Sequence, residues 1–168
     1  LNPDEPVSLV PKIKESDHAW AAQPLPLSVF SDREQHCLTA GIYFEARGEP
    51  VRGQAAVAQV ILNRVKNPAY PNSICGVVYQ NKEWRNRCQF SFACDGQPDL
   101  PRNGRAWEAA LEVTTLALAR DRPVQVVASA THYHADYVDP AWSRSLHRVI
   151  KIGRHIFYTQ GGSRPPRV

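Results

Sequence analysis

Between residues 31 and 65 the chain carries two apolar runs of helical length, separated by a short polar break. The first follows Ser31-Asp32-Arg33-Glu34, a capping-box pattern in which Ser31 accepts from the Glu34 amide and Glu34 reaches back to Ser31. A helix starting there places Cys37, Leu38, Gly41, Ile42 and Phe44 on a mostly apolar side. It should stop near Gly48, because Gly is permissive and Pro50 disfavours helical geometry at Glu49. The second run, residues 51–65, is rich in Ala, Val, Ile and Leu on nearly all sides, which predicts a helix at the centre of a small domain. Its polar exceptions are Gln54, Gln59 and Asn63, and buried amides need partners.

Further along, Asn67-Pro68-Ala69-Tyr70-Pro71-Asn72 is a turn-rich break, after which Ser73 caps a short helix reaching to Gln80. Asn103 caps a longer one, from Gly104 to about Arg120, with Trp107, Ala110, Leu111, Thr114 and Leu118 at helical spacing. Asp121-Arg122-Pro123 ends it, and residues 124–127 read as an extended segment. Residues 149–158 turn β-like around Gly153. The pattern defines one α+β domain over residues 29–160, mainly α-helical, with a small extended element near its C-terminus. Residues 1–28 carry Pro3, Pro6, Pro11, Pro24 and Pro26 without a sustained period and read as an extended arm or linker, whose residues 24–27 are able to lay an apolar strip on the domain. Residues 161–168 form a Gly-, Pro- and Arg-rich tail, expected to fray. No internal repeat occurs.

A chain of 168 residues is long enough for a real core. Its net charge of +4 and pI near 9.0 suit an anionic polymer, and both cell-wall glycan with its peptide carboxylates and nucleic acid qualify. No basic run with interleaved aromatics occurs, so nucleic acid is not the expected partner. There is no long apolar segment, hence no expected transmembrane segment. A soluble monomer is expected, with any signal peptide or anchor removed or not included.

The candidate chemistry centres on Tyr43-Phe44-Glu45-Ala46-Arg47-Gly48-Glu49-Pro50. Glu45 falls in the last helical turn, where the negative end of the helix dipole and the desolvating rings of Tyr43 and Phe44 both raise a carboxyl pKa. A raised pKa is what a general acid working near neutral pH requires. The plainer account makes Glu45 and Glu49 ordinary helix-end charges with Arg47 as their ion-pair partner. Gln54 lies near this loop, either bracing it or touching substrate. Residues 81–96 are polar and aromatic without a clean period; Trp84, Phe90 and Phe92 there suit a sugar-binding wall, the alternative being that one of Phe90 and Phe92 anchors the loop in the core. In Thr131-His132-Tyr133-His134 an extended backbone puts both histidines on one face. With Glu45, Glu49 or Asp136 as third ligand they would make a zinc amidase, but no H-E-x-x-H pattern is present and no metal or other cofactor is expected. The preferred reading has Tyr133 and a histidine lining a cleft opposite Glu45; His132 packed in the core is the equal alternative for that residue.

The stretch at 43–50 resembles the SleB/CwlJ cell-wall hydrolase family, together with Gly53-Gln54-Ala55-Ala56-Val57-Ala58, Val60-Ile61-Leu62-Asn63-Arg64-Val65 and Ser73-Ile74-Cys75-Gly76-Val77-Val78-Tyr79-Gln80. Gln89-Phe90-Ser91-Phe92, Thr131-His132-Tyr133-His134 and Ile152-Gly153-Arg154-His155-Ile156-Phe157-Tyr158 continue it. The resemblance covers most of residues 31–158 in order. It implies a lysozyme-like catalytic domain acting on peptidoglycan glycan strands, with Glu45 in the position of the family's catalytic glutamate. It also implies supporting or substrate-binding roles for Tyr43, Arg47, Glu49, Gln54, Gln89, Phe90, Ser91, Phe92, His132, Tyr133 and His134.

Four cysteines, with no C-x-x-C pair, are used as disulfides by a protein of a secreted family in an oxidising compartment. Of the three possible pairings, sequence proximity suggests Cys88 with Cys94 and so Cys37 with Cys75; four reduced core thiols in a cytosolic protein are the alternative. The expected location is periplasmic, cell-wall-associated or secreted. A lone acid suffices if the 6-hydroxyl of N-acetylmuramic acid attacks its own anomeric carbon, so the resemblance favours lytic transglycosylation over a hydrolytic muramidase, which usually needs two carboxylates. A metal-dependent cell-wall amidase and a non-catalytic glycan-binding module are the remaining alternatives.

Overall fold

The computed structural model describes residues 18–119 and 125–160. Four helices pack against one small sheet: α1 (Asp32–Ala46), α2 (Val51–Lys66), α3 (Ile74–Val78) and α4 (Gly104–Ala117), then β1 (His132–Ala135), β2 (His147–Ile152) and β3 (His155–Thr159). The sheet is antiparallel in the order β1-β3-β2. The expectation of a mainly helical α+β domain with a minor C-terminal extended element therefore holds.

The central helix is α2, as its apolar composition requires. Ala56, Val57, Ala58, Val60 and Ile61 are fully buried, and α1, α3 and α4 all lie against it. Helix α1 approaches closely at Gly41, where a Cβ would sit 3.0 Å from the Ile61 side chain and 3.3 Å from that of Val78. Buried hydroxyls of Thr39 and Thr114, 2.8 Å apart, tie α1 to α4. Two of the polar exceptions on α2, Gln59 and Asn63, position the segment that leads into the sheet. Gln59 accepts from the amides of Val126 and Val127 and donates to the carbonyl of Ala128, while Asn63 donates to the carbonyls of Ala128 and Ala130. These bonds fix residues 125–131 as a turn that delivers the chain into β1. The extended segment expected at 124–127 is thus not a strand over its described part; Val124 lies outside the described residues.

All three predicted N-caps form. Ser31, Ser73 and Asn103 accept from the amides of Glu34, Gly76 and Ala106. The reciprocal half of the capping box does not. The Glu34 side chain, buried, instead accepts from the backbone amides of Ile74 and Cys75 and so caps α3. An acid beside two unsatisfied amides of another helix gains more than one bond back to its own cap. The same contact brings Cys37 against Cys75.

Both expected disulfides are present: Cys37–Cys75 joins α1 to α3, and Cys88–Cys94 closes the loop before α4. Thiol titration of the unfolded, unreduced protein should accordingly find no free thiol; four free thiols would remove the bridges. Helix α4 ends at Ala117, short of the expected Arg120, which lies outside the described residues. Of the expected arm, residues 1–17 lie outside the described residues. Residues 18–28 are not simply extended: they hold the 3-10 turn Ala19–Ala22 and begin another, Leu27–Phe30. The Lys66 ammonium donates to the carbonyl of Ala21, and Leu25 packs against the core. The tail at 161–168 also lies outside the described residues.

Candidate active site

Glu45 is the penultimate residue of α1, half-buried, at the end of the helix nearest the sheet. The Tyr133 hydroxyl, from the middle of β1, donates to its Oε2 at 2.7 Å. Burial raises the Glu45 pKa above its ordinary 4.5, opposed by that hydrogen bond and by the Arg64 charge. The Tyr133 phenol is in turn held well above its ordinary range, by burial and then by Glu45, so it stays a donor. One carboxyl oxygen is thus committed to Tyr133, and Oε1 is the atom left to carry an exchangeable proton.

Arg64 was not singled out by sequence and proves central. It is the one cation within the apolar run 60–65 of the most buried helix, which is the signal that could have found it. Only 5% exposed, it donates from Nε to the carbonyl of Thr131 at 2.8 Å and from a terminal nitrogen to Gln89 at 3.3 Å. Its guanidinium lies 5.1 Å from the Tyr70 ring centre and 5.4 Å from that of Phe90. Burial lowers its pKa, opposed by Tyr70, Tyr133 and Glu45. Arg64 therefore ties the loop at 89–90 and the start of β1 to α2, and its charge acts on Glu45.

The other expected site residues divide. Tyr43 does not shield the Glu45 carboxyl. It points toward α4, where its hydroxyl accepts from the amides of Arg102 and Asn103, both at 3.1 Å, and its ring meets Trp107. Phe44 stacks on Phe92 with ring centres 4.7 Å apart. Arg47 lies over Tyr43 rather than pairing with Glu49. Tyr43, Phe44, Arg47, Ser91 and Phe92 line a cavity of about 410 Å³ with Asp95, Asp99 and Arg102. Phe90 and Phe92 are 2% and 7% exposed, so both anchor the loop and neither is an open sugar wall; the exposed ring of that segment is Trp84. Gln89 is exposed and Ser91 also.

Gln54 braces the loop, donating to the Glu49 carbonyl at 3.1 Å, while its Oε1 is buried without a partner. Glu49 turns away from Arg47 toward the β2–β3 turn, where both carboxylate oxygens meet the Arg154 amide. Alternation along β1 sends Tyr133 to Glu45 and its neighbours His132 and His134 the other way, so neither of these two joins Tyr133 opposite the acid, where a histidine was expected. His132 meets Thr131 Oγ1 at 2.9 Å and Trp142; His134 donates from Nδ1 to the Ala135 carbonyl and accepts at Nε2 from the Tyr158 hydroxyl. Among the described residues no three His, Cys, Asp or Glu side chains gather into a metal-binding group.

Burial, then the Arg64 charge, lowers the His132 pKa from 6.5 to about 4. The unfolded chain therefore binds that proton first, and the contribution to stability is present above pH 6.5 and lost as pH falls toward 4. His132→Asn should flatten the fall in melting temperature over that interval; an unchanged pH profile would show that the ring titrates normally.

A mainly helical domain that brings a half-buried carboxyl from a helix end to a small antiparallel sheet is lysozyme-like. The catalytic domain of the germination-specific lytic transglycosylase SleB from Bacillus anthracis superposes with a TM-score of 0.60 at 31% identity, covering 77% of this chain and 97% of that one. The catalytic domain of the Bacillus cereus SleB protein gives 0.59 at 31% identity, with 77% and 92% covered. The chain belongs to the cell wall hydrolase family, whose model matches residues 48–158. The spore cortex-lytic enzyme of Bacillus subtilis strain 168 is 34% identical over 146 residues, 87% of this chain and 43% of that protein. That of Halalkalibacterium halodurans is 34% identical over 129 residues, 76% of this chain and 35% of that one. The chain thus spans less than half the length of these curated relatives. The family match begins just past Glu45, so the acid's assignment rests on geometry. Among the described residues no helix is long and apolar enough to cross a membrane.

Proposed function

We propose that the chain cleaves the glycan strands of peptidoglycan as a lytic transglycosylase, with Glu45 as both acid and base. The observation that carries this reading is the Glu45 carboxyl, raised in pKa by burial and bound on one oxygen by Tyr133. Protonated Oε1 gives its proton to the glycosidic oxygen between N-acetylmuramic acid and N-acetylglucosamine as that bond breaks. The muramic 6-hydroxyl then bonds to the anomeric carbon, and the Glu45 carboxylate takes the hydroxyl proton, restoring the acid and leaving a 1,6-anhydro end. Tyr133 donates to Oε2 throughout, which stabilises the carboxylate midway through the cycle. No second carboxylate is needed, which suits the engagement of Glu49 by the Arg154 amide. The description of the Bacillus anthracis SleB domain as a lytic transglycosylase supports the same chemistry. A wall substrate and two disulfides together favour an extracytoplasmic site of action, in the periplasm, at the wall or secreted.

Mass spectrometry of the products released from purified peptidoglycan tests this. Anhydro-muramic ends are the expected result. Reducing muramic ends would make the chain a hydrolytic muramidase, new free amines without new sugar ends an amidase, and an undigested substrate a glycan-binding module.

A further inference from the structure

Behind Tyr133 stands a row of two polar side chains with no part in the proton transfers above. The inner face of the sheet carries Tyr133 on β1 beside His155 and Phe157 on β3, with ring centres 4.9 and 5.6 Å from Tyr133. On its far side, His155 Nε2 lies 3.9 Å from Glu49 Oε1, and each of these side chains is 11% exposed. Glu49 in turn grips the β2–β3 turn through the Arg154 amide. His155 Nδ1 is buried without a partner. An aliphatic or phenyl side chain would fill the same space without an unpaired nitrogen, so packing alone does not account for an imidazole here.

We propose that Glu49 and His155 are positioning residues for the general acid: together they hold the Tyr133 ring so that its hydroxyl meets Oε2 of Glu45. The row runs Glu49, His155, Tyr133, Glu45, and it links the loop after α1 to the carboxyl at the end of α1 by way of the sheet. Displacing the ring of His155 frees Tyr133 to tilt, lengthening the 2.7 Å bond on which the state of Glu45 depends. This inference rests on Glu45 being the acid. The groups facing that carboxyl are Tyr133 from β1 and Arg64 from α2, both of which lower its pKa.

The test reads the titration of Glu45 directly, by carbon NMR of protein labelled at the glutamate carboxyls, with Glu45→Gln assigning the signal. Tyr133→Phe removes the bond and should move the titration to higher pH. His155→Ala and Glu49→Ala should each move it the same way, and neither should add a further shift in a Tyr133→Phe background. On soluble glycan strands each single variant should lower kcat by about 10- to 100-fold, the scale of a misplaced catalytic group, with KM nearly unchanged. If His155→Ala does not fold, His155→Gln takes its place. An unmoved Glu45 titration in the folded variants, or a shift as large in the Tyr133→Phe background as without it, would overturn the proposal. The titration needs no substrate, so a wild type that turns over no glycan would reject the proposed function and leave this measurement intact.

Discussion

Glu45→Gln is expected to remove release of anhydro-muropeptides while the protein stays folded and keeps its affinity for glycan. Loss of a general acid costs about 10²–10⁴-fold in rate, on the order of 3–5 kcal/mol of barrier. The loss should reach the upper end here, because the same carboxyl also takes the proton from the attacking hydroxyl. The substitution has a second signature, in stability. Burial raises the folded pKa of Glu45, so the folded state binds that proton more tightly than the unfolded chain. Its contribution to stability is therefore present below pH 4.5 and lost as pH rises through the folded value. Glutamine is neutral throughout, and its amide oxygen can still accept from Tyr133. At neutral pH the variant should melt no lower than wild type, a loss of activity without a loss of fold. Glu49→Gln should show the reverse emphasis, with a smaller effect on chemistry and a larger one on melting temperature. Near-normal activity in folded Glu45→Gln protein would sink the mechanism, and a larger loss in Glu49→Gln would transfer the acid role to Glu49.

What the chain disclosed in advance was local. Ser31, Ser73 and Asn103 cap amides three residues on, which spacing alone reveals. The hairpin turns at Gly153, the glycine within the apolar run 149–158, at φ +56°. Glu45 was legible for the same reason, since a carboxylate in the last turn of a helix is marked by what precedes and follows it. The long-range partners were not. Glu34 fits a capping box perfectly well in sequence, yet bonds to amides 40 and 41 residues away, because two unsatisfied donors of α3 outbid its own cap. Glu49 beside Arg47 looks like an ion pair; in the fold its carboxylate meets a backbone amide 105 residues on. An exposed arginine holds a neighbouring acid weakly, whereas a turn amide already fixed in place by the β2–β3 hairpin offers both carboxylate oxygens a donor. Arg64 shows the opposite case. Its charge stands out of place in an apolar helix, a signal that the hydrophobic pattern hid, and only the fold shows that it bonds the loop at 89–90 and the start of β1 and acts on Glu45.

Gly153→Ala should be the most damaging single methyl group in the sheet. Gly153 sits at φ +56°, a backbone conformation that costs a residue with a Cβ about 1–2 kcal/mol. The larger cost lies in what the methyl group displaces, since a Cβ there would take the place of the Glu49 carboxylate. The carboxylate must leave, and the Arg154 amide loses a charged acceptor, a bond worth about 1.5–3 kcal/mol. Together these predict roughly 2.5–5 kcal/mol of destabilisation, or about 5–20 °C in melting temperature for a domain of this size. The two parts are separable. In a Glu49→Ala background the carboxylate is already gone, so Gly153→Ala should then cost only the backbone term of about 1–2 kcal/mol and whatever the 3.1 Å approach of the new Cβ to Cδ of Pro50 adds. Equal costs in the two backgrounds would show that the turn and Glu49 are not coupled, and that the close approach of Gly153 to its carboxylate does not set the stability of this corner.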